Sequence, residues 1–394
     1  MDKPYVLVVE TKKGVFQELL SWNTRDKPWK IKAVTDIRSA VGFVRQHEVA
    51  VVVIYCGEDP DSWQPFLTWL KGYESVVIRL SVAAQEAQTD PALVEIHPIL
   101  AANCSTRELV SAIDRGFQAW AWLQERPMME ALLAELRYLP SPPSLYFALR
   151  EEINSPGSDL RRVAALLARD ASLVARLLRV ANSGFYARPR QITNLQEAVG
   201  LLGLDLVLGI VLSAHLFDHL PAPGLNLEEL WKHNFAVAGM AQYIARMKGC
   251  SPELINAAGL AGLLHDLGSL VLLANLPGSY PGLIRKSQAD ERQLIQLERK
   301  QWGGGHAEVG AMVLSLWNIS DPVVEAVALH HDLDADSFQQ AQPITQAVFV
   351  SELLVNEFTN QTRQAVTEDE SDILSLVDPT IRSACVPMLA AALK

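Results

Sequence analysis

GLLHDLG, Gly262–Gly268, sets His265 beside Asp266 inside an otherwise apolar, helix-patterned stretch. Two ionisable side chains in such a place are costly unless they pair with each other or hold a metal. Outward from this point, other histidines fall on helical segments or helix starts: His233 in LWKHN, His306 in GGGHAEVGA, and His330 with His331 in ALHHD. Five of the nine histidines are therefore candidates to converge. Imidazole together with carboxylate suits a divalent transition metal such as Fe, Mn, Zn or Ni. Any one of these residues alone is more often a satisfied polar group in a helix than a ligand. Their joint occurrence is what points to a metal site.

The surrounding chain divides into two patterns. YVLVVE (Tyr5–Glu10), VAVVVIYC (Val49–Cys56), SVVIRLS (Ser75–Ser81) and HPILA (His97–Ala101) are apolar β-type runs, with a further strand near Trp29–Val34. Helical spacing lies between and after them, as in Ile37, Ala40, Val41, Val44 and in Leu109, Ala112, Ile113, Phe117. Apolar runs separated by helices are the signature of a parallel sheet covered on both faces. Residues 1–125 thus read as a small doubly wound α/β domain. From about Glu130 the 3.6-residue period takes over, and the prolines of LPSPPS (Leu139–Ser144) mark a rigid start to an all-α domain over residues 130–357. Asp159 and Asp170 are natural N-caps for helices that follow them. TNQTRQAVTEDESD (Thr359–Asp372) is polar and acidic and reads as an exposed loop. In the remainder of the 358–394 segment, Ile373–Leu393 is amphipathic, interrupted at Pro379 and Pro387, and expected to pack back on the helical domain.

Composition excludes several classes of function. With 394 residues, 49% hydrophobic and 20% charged, the chain can bury more than one core. Thirty-four Lys plus Arg against 45 Asp plus Glu give a net charge of −11, so bulk charge does not attract nucleic acid. Cys56, Cys104, Cys250 and Cys385 are widely spaced, without a C-x-x-C pair, which argues against a disulfide framework and a cysteine zinc site. The first residues, MDKPYVLVVETKKG, contain no long apolar run. The longest uncharged apolar stretch, Leu206–Phe217, is shorter than the ~20 residues of a membrane helix. A cytoplasmic protein without membrane insertion is expected. One local exception in charge is a run of seven arginines, Arg161, Arg162, Arg169, Arg176, Arg179, Arg188 and Arg190, with Asp170 opposing them. Such a cluster can grip phosphate, although a solvated helix face is the commoner meaning. Gly303–Gly305 lacks a following GK[ST] and reads as the turn before the His306 helix.

In the order and spacing of its motifs the helical part resembles the HDOD (HD-related output domain) branch of the HD superfamily of metal-dependent phosphohydrolases. The resemblance covers roughly Leu132–Leu354: LPSPPS, RDASLVARLLRVANSGFY (Arg169–Tyr186), ITNLQEAVGLLG (Ile192–Gly203), LWKHN, GLLHDLG, ERKQWGGGHAEVGA (Glu298–Ala311) and the HH pair. ANS at Ala181–Ser183 and LG at Leu202–Gly203 are its most discriminating parts. It implies metal ligands at His233, His265, Asp266, His306, His330 and His331. By analogy with HD-GYP phosphodiesterases, Glu229 is a further candidate. Where catalytic HD enzymes place a closing Asp, AVFVSELLV puts Ser351, with Glu352 next to it, and no GYP follows HHD. A neutral hydroxyl lacks the charge that such a position uses. The resemblance therefore implies a regulatory module acting through protein contacts, with no catalytic residues assigned. The alternative is hydrolysis of a cyclic dinucleotide or other phosphoester, with cations neutralising the charge that develops on phosphorus.

The first domain resembles the receiver domains of response regulators in size and strand order, with Ser81 at the end of the fourth strand. Their phosphoryl chemistry needs an acceptor Asp after the third strand and a Lys near the fifth. This chain has Glu10 followed by Thr11, then Tyr55 with Cys56, and Ala102. Asp59 and Asp61 lie later, in GEDPDSW, and read as loop carboxylates. The expectation is a bacterial-type signalling protein made of a degenerate receiver followed by an HDOD domain. Its expected partners are other signalling proteins, with a homodimer and a nucleotide as further options and nucleic acid disfavoured.

Overall fold

A computed structural model describes residues 3–10, 17–22, 26–57, 64–71, 78–83, 99–101, 104–136, 142–186, 190–219, 226–287, 290–359 and 368–392. The chain forms two compact units, one of residues 1–144 with 296–304 and 312–318, the other of residues 145–295, 305–311 and 319–394.

The first unit holds a five-stranded, all-parallel sheet: β1 (Tyr5–Val9), β2 (Lys30–Val34), β3 (Val49–Gly57), β4 (Ile78–Ala83) and β5 (Ile99–Ala101), in the order β2-β1-β3-β4-β5. Central β1 and β3 are buried throughout most of their length, which is why they read as unbroken Val and Leu runs. Helices α1 (Ile37–Gln46) and α2 (Gln64–Lys71) supply Ala40, Val44, Phe66, Leu67 and Leu70 to one core with Leu7, Val9, Val52 and Ile54. Adjacent strand residues point to opposite faces, and α3 (Thr106–Gln124) packs Gly116 against Val51 and Ile78 on the other side. A Ser105–Glu108 capping box starts α3. Helix α4 (Pro127–Glu135) follows, within the same unit. Among the expected receiver positions, Glu10 is buried at the end of β1 and Tyr55 lies in β3. Asp59, Asp61 and Ala102 lie outside the described residues, as do the side chains of Cys56 and Ser81.

The second unit is helical. It runs through α5 (Ser144–Asn154), α6 (Leu160–Leu167), α7 (Ala171–Ala181), α8 (Leu195–Leu202), α9 (Leu204–His219), α10 (Leu227–Met247), α11 (Pro252–Leu264), α12 (Leu267–Asn275), α13 (Tyr280–Lys286), α14 (Glu291–Trp302), α15 (His306–Leu316), α16 (Asp321–Ala328), α17 (Ala335–Gln340), α18 (Pro343–Thr359), α19 (Glu368–Leu376) and α20 (Pro379–Ala392), with parts of α14 and α15 counted in the first unit. Asp159 and Asp170 cap α6 and α7 through their side chains. The two discriminating motifs have structural roles. Asn182 ends α7 and ties the chain together: its Nδ2 donates to the Leu178 and Ile192 carbonyls, both at 2.8 Å, and its Oδ1 accepts from the Ile192 N–H at 2.7 Å. Gly203 ends α8 at φ +83°, a conformation that glycine adopts without strain.

Helices α10, α11 and α18 form the heart of this unit. Gly262 lets α11 lie on α10, since a Cβ there would stand 2.9 Å from the Ala238 backbone. Pro252–Asn275 is long and apolar enough by composition to cross a membrane, but 83% of its most apolar window is buried inside the protein, as a core segment is.

Three sequence expectations are corrected. His265 and Asp266 lie not inside one helix but at the junction between α11 and α12. The acidic stretch is not wholly a loop: Glu368–Asp372 opens α19, in which Ile373 and Leu374 are buried; residues 360–367 lie outside the description. Pro387 does not break α20, which runs through it with Cys385 and Leu389 buried on either side.

Candidate metal centre

Four segments bring the ionisable residues together within the helical unit. His233 comes from the second turn of α10, His265 and Asp266 from the α11–α12 junction, His306 from the start of α15, and His330 and His331 from just beyond α16. The junction matters because ending α11 at Leu264 turns both side chains of the His-Asp pair toward one point. His265 Nε2 is 3.3 Å from Asp266 Oδ2. Close approach of backbone helps to set His306: Gly268 of α12 lies against it so tightly that a Cβ would fall 1.8 Å from the His306 carbonyl oxygen.

The cluster has two halves. In the first, His233 Nε2 and His265 Nε2 are 3.3 Å apart, and Glu352 Oε2 lies 3.1 Å from the former and 3.2 Å from the latter. In the second, His306 Nε2 and His331 Nε2 are 3.1 Å apart, with His330 beside them. Asp266 stands between: Oδ2 faces His265, and Oδ1 is 3.7 Å from His306 Nε2. His306–His330–His331, His233–His265–Glu352 and His265–Asp266–His330 each bring three potential ligand atoms within 4.8 Å of one another.

Outer hydrogen bonds fix the rings. His265 Nδ1 is 2.7 Å from the Gly262 carbonyl and His330 Nδ1 is 2.6 Å from that of Val327; a carbonyl only accepts, so both Nδ1–H groups donate and both Nε2 atoms face the cluster. That is how metal-ligating histidines are usually oriented. His330 Nε2 is buried and has no hydrogen-bond partner among the described residues. An orphaned imidazole lone pair among imidazoles and carboxylates fits a divalent transition metal, and the absence of cysteine from these groups favours the N/O-binding metals.

The histidines and carboxylates set one another's protonation. Burial opposes charge on His265, but Asp266 and Glu352 outweigh it and hold the ring protonated well above the usual histidine range. Glu352 also raises His233 against the cost of burial. Burial raises Asp266 and Glu352, yet the neighbouring histidines hold both carboxyls well below their ordinary values. In the other half, burial with the charges of His265 and His306 pushes His330 down to about 3, and burial with His330 and His306 lowers His331 too.

The six expected residues converge, and two corrections follow. Ser351 does not occupy the closing position: it is fully buried and its Oγ donates to the Ala347 carbonyl within α18, 2.6 Å away. Glu352, one residue on and 2% exposed, supplies the carboxylate. Glu229 is exposed on the first turn of α10, where its N–H is capped by Asn226, and it belongs to none of the ligand groups among the described residues. Glu291 was missed as well. It stands at the margin with Oε1 3.6 Å from His331 Nε2, and burial with the charges of Glu352 and Asp266 pushes its carboxyl up to about 8. A glutamate inside the apolar run of α18 is the signal that would have found Glu352, by the argument already applied to His265 and Asp266; Glu291, on a strongly polar helix, gave none.

The arginine run is less isolated than its local sequence indicates. Arg161 pairs with Asp159, Arg162 approaches Glu152, Arg190 donates to both oxygens of Glu197, and Arg176 lies over Trp231. Asp170 serves as a cap, and Arg188 lies outside the described residues.

A helical unit that gathers histidines and an His-Asp pair at its centre defines an HD-type architecture. Residues 139–333 match the HDOD domain family, and the chain carries an HDOD domain. Among solved structures the fold is similar to that of an HDOD domain protein of unknown function from Geobacter sulfurreducens, at 24% identity over 68% of this chain and 98% of that one, with a TM-score of 0.52. A protein from Shewanella amazonensis SB2B, named a putative phosphohydrolase, is similar at 22% identity over 66% of this chain and 93% of its own, with a TM-score of 0.51. An uncharacterized Treponema pallidum (strain Nichols) protein is 25% identical over 227 residues, 57% of this chain, and the match spans 43% of that relative's length.

Proposed function

We propose that this is a cytoplasmic signalling protein whose HDOD domain holds a divalent transition metal, Fe, Mn, Zn or Ni, and acts through contacts with other signalling proteins. The observation that carries the metal reading is the buried His330 Nε2, without a hydrogen-bond partner among the described residues, inside a shell of four other histidines and two carboxylates. His233, His265, Asp266 and Glu352 would hold a cation in one half, and His306, His330 and His331 in the other. Bound metal would supply Lewis-acid chemistry. The protein's own residues orient the rings through the Gly262 and Val327 carbonyls and exclude water: His265, His306, His330 and Glu352 are each at most 2% exposed. This closure supports regulation over turnover, because among the described residues of the cluster only His233 and Glu291, with side chains 20% and 30% exposed, offer an edge that a charged phosphoester could approach.

The N-terminal unit is proposed as a receiver-like module without phosphoryl chemistry. Its support is the parallel 2-1-3-4-5 strand order, an order shared by doubly wound receiver folds, together with Tyr55 and Cys56 where an acceptor Asp is required. A specific observation favours a second reading, phosphoester hydrolysis: Glu352 provides the anionic oxygen that Ser351 lacks. The experiment is metal analysis of untagged protein, with hydrolysis assays on a chromogenic phosphodiester and on cyclic dinucleotides. Retained metal without turnover is expected. Turnover that follows metal content and vanishes in Asp266→Asn would install the hydrolase reading.

A further inference from the structure

The margin of the centre contains an arrangement that none of the sequence motifs includes. Asn356 lies one helical turn beyond Glu352 on α18, and its single Nδ2 group donates to Glu291 Oε2 at 2.6 Å and to Glu352 Oε1 at 2.8 Å. Each carboxylate thereby has one oxygen occupied and one free to face the histidines. The free oxygen of Glu352 lies against His233 and His265; that of Glu291 lies 3.6 Å from His331 Nε2. A lysine or arginine between the two carboxylates would cancel their charge. A neutral amide holds them together and cancels no charge that they carry once a cation is bound; inside the cluster His330 Nε2 has no hydrogen-bond partner among the described residues.

We infer that Glu291 is a metal-directed carboxylate of the His306, His330 and His331 half, and that Asn356 is a positioning residue that fixes Glu291 and Glu352 one to each half. This rests on the metal-holding reading above. It gives the protein two divalent-cation positions, each with histidines and an outer carboxylate, and Asp266 between them. Three carboxylates against two divalent cations leave a net charge of +1, against +2 without Glu291, and a smaller uncompensated charge is cheaper to bury.

The test is titration of the metal-free, full-length protein with Mn²⁺ by calorimetry, with Co²⁺ absorption as a spectroscopic check. Parent protein should bind two equivalents. Glu291→Gln should keep one tight equivalent and weaken the other by at least about 10-fold, the smallest effect typical of lost metal-site partners. Asn356→Ala should weaken both and alter the Co²⁺ spectrum, while Asp290→Asn, next in sequence to Glu291, should bind like the parent. Melting of each metal-free variant checks folding. Glu291→Gln binding two equivalents at parental affinity would overturn the role of Glu291, and an unchanged Asn356→Ala would overturn its positioning role. Parent binding of a single equivalent that ignores Glu291→Gln would overturn this inference and leave the metal-holding reading standing; no binding of Mn²⁺ or Co²⁺ at all would overturn both.

Discussion

Replacing Glu352 by Gln keeps the shape of the side chain and removes its charge, at a position only 2% exposed. In the metal-free protein two charge-assisted contacts, to His233 at 3.1 Å and His265 at 3.2 Å, become neutral ones. Charged hydrogen bonds contribute about 1.5–3 kcal/mol and neutral ones about 0.5–1.5, so the pair should lose roughly 1–3 kcal/mol in all. The loss stays moderate because both imidazoles can shed a proton and avoid an uncompensated buried charge. For a unit of this size about 2–4 °C of Tm accompanies each kcal/mol, which gives a fall of about 2–12 °C. Metal affinity should drop by at least about 10-fold. Ser351→Ala is the matched control: it removes only the Oγ bond to Ala347 within the helix, so stability should change by less than about 1 kcal/mol and metal affinity should hold. Melting followed by circular dichroism, with chelator and with Mn²⁺, separates the two effects. Loss of metal-induced stabilisation in Ser351→Ala with retention in Glu352→Gln would refute the assignment of the closing carboxylate.

Other expectations follow from single contacts. Asn182→Ala strands the Ile192 N–H and C=O and should cost about 1–3 kcal/mol, read as a lower Tm with unchanged metal content; an unchanged Tm would remove the structural reading of the ANS motif. Gly268→Ala drives a Cβ into the His306 carbonyl, so it should both destabilise the protein and lower metal affinity, whereas a change in neither would contradict the close approach of α12 to His306. Incubation with acetyl phosphate should add no mass to residues 1–125; a hydroxylamine-labile phosphate adduct there would restore phosphoryl chemistry to the N-terminal unit.

The legible parts of the chain were those in which one physical rule dominates. Val51, Val52 and Val53 lie in a central strand buried on both faces, so uniform hydrophobicity alone marks β3. His265 and Asp266 stood out because charge inside an apolar run needs a partner. What failed depended on tertiary detail of one residue or less. Ser351 and Glu352 are adjacent on α18, where a step of one residue turns a side chain by about 100°, and only packing decides which faces the histidines. The junction was hidden because apolar residues resume directly after His265 and Asp266, with neither Pro nor Gly at those two positions. Glu291 lies on a polar helix and Asn356 near the C-terminal end of α18, and they meet only through folding, 65 residues apart.

The central claim, that the HDOD domain holds a divalent metal through its histidines, is tested most directly by X-ray absorption at the metal edge on untagged protein as purified. The account predicts a retained transition metal with a nitrogen and oxygen shell, about 2.0–2.1 Å for Zn–N, the outer-ring scattering of several imidazoles, and no sulfur. Protein that retains no metal, or metal with a sulfur shell or without imidazole scattering, would contradict it.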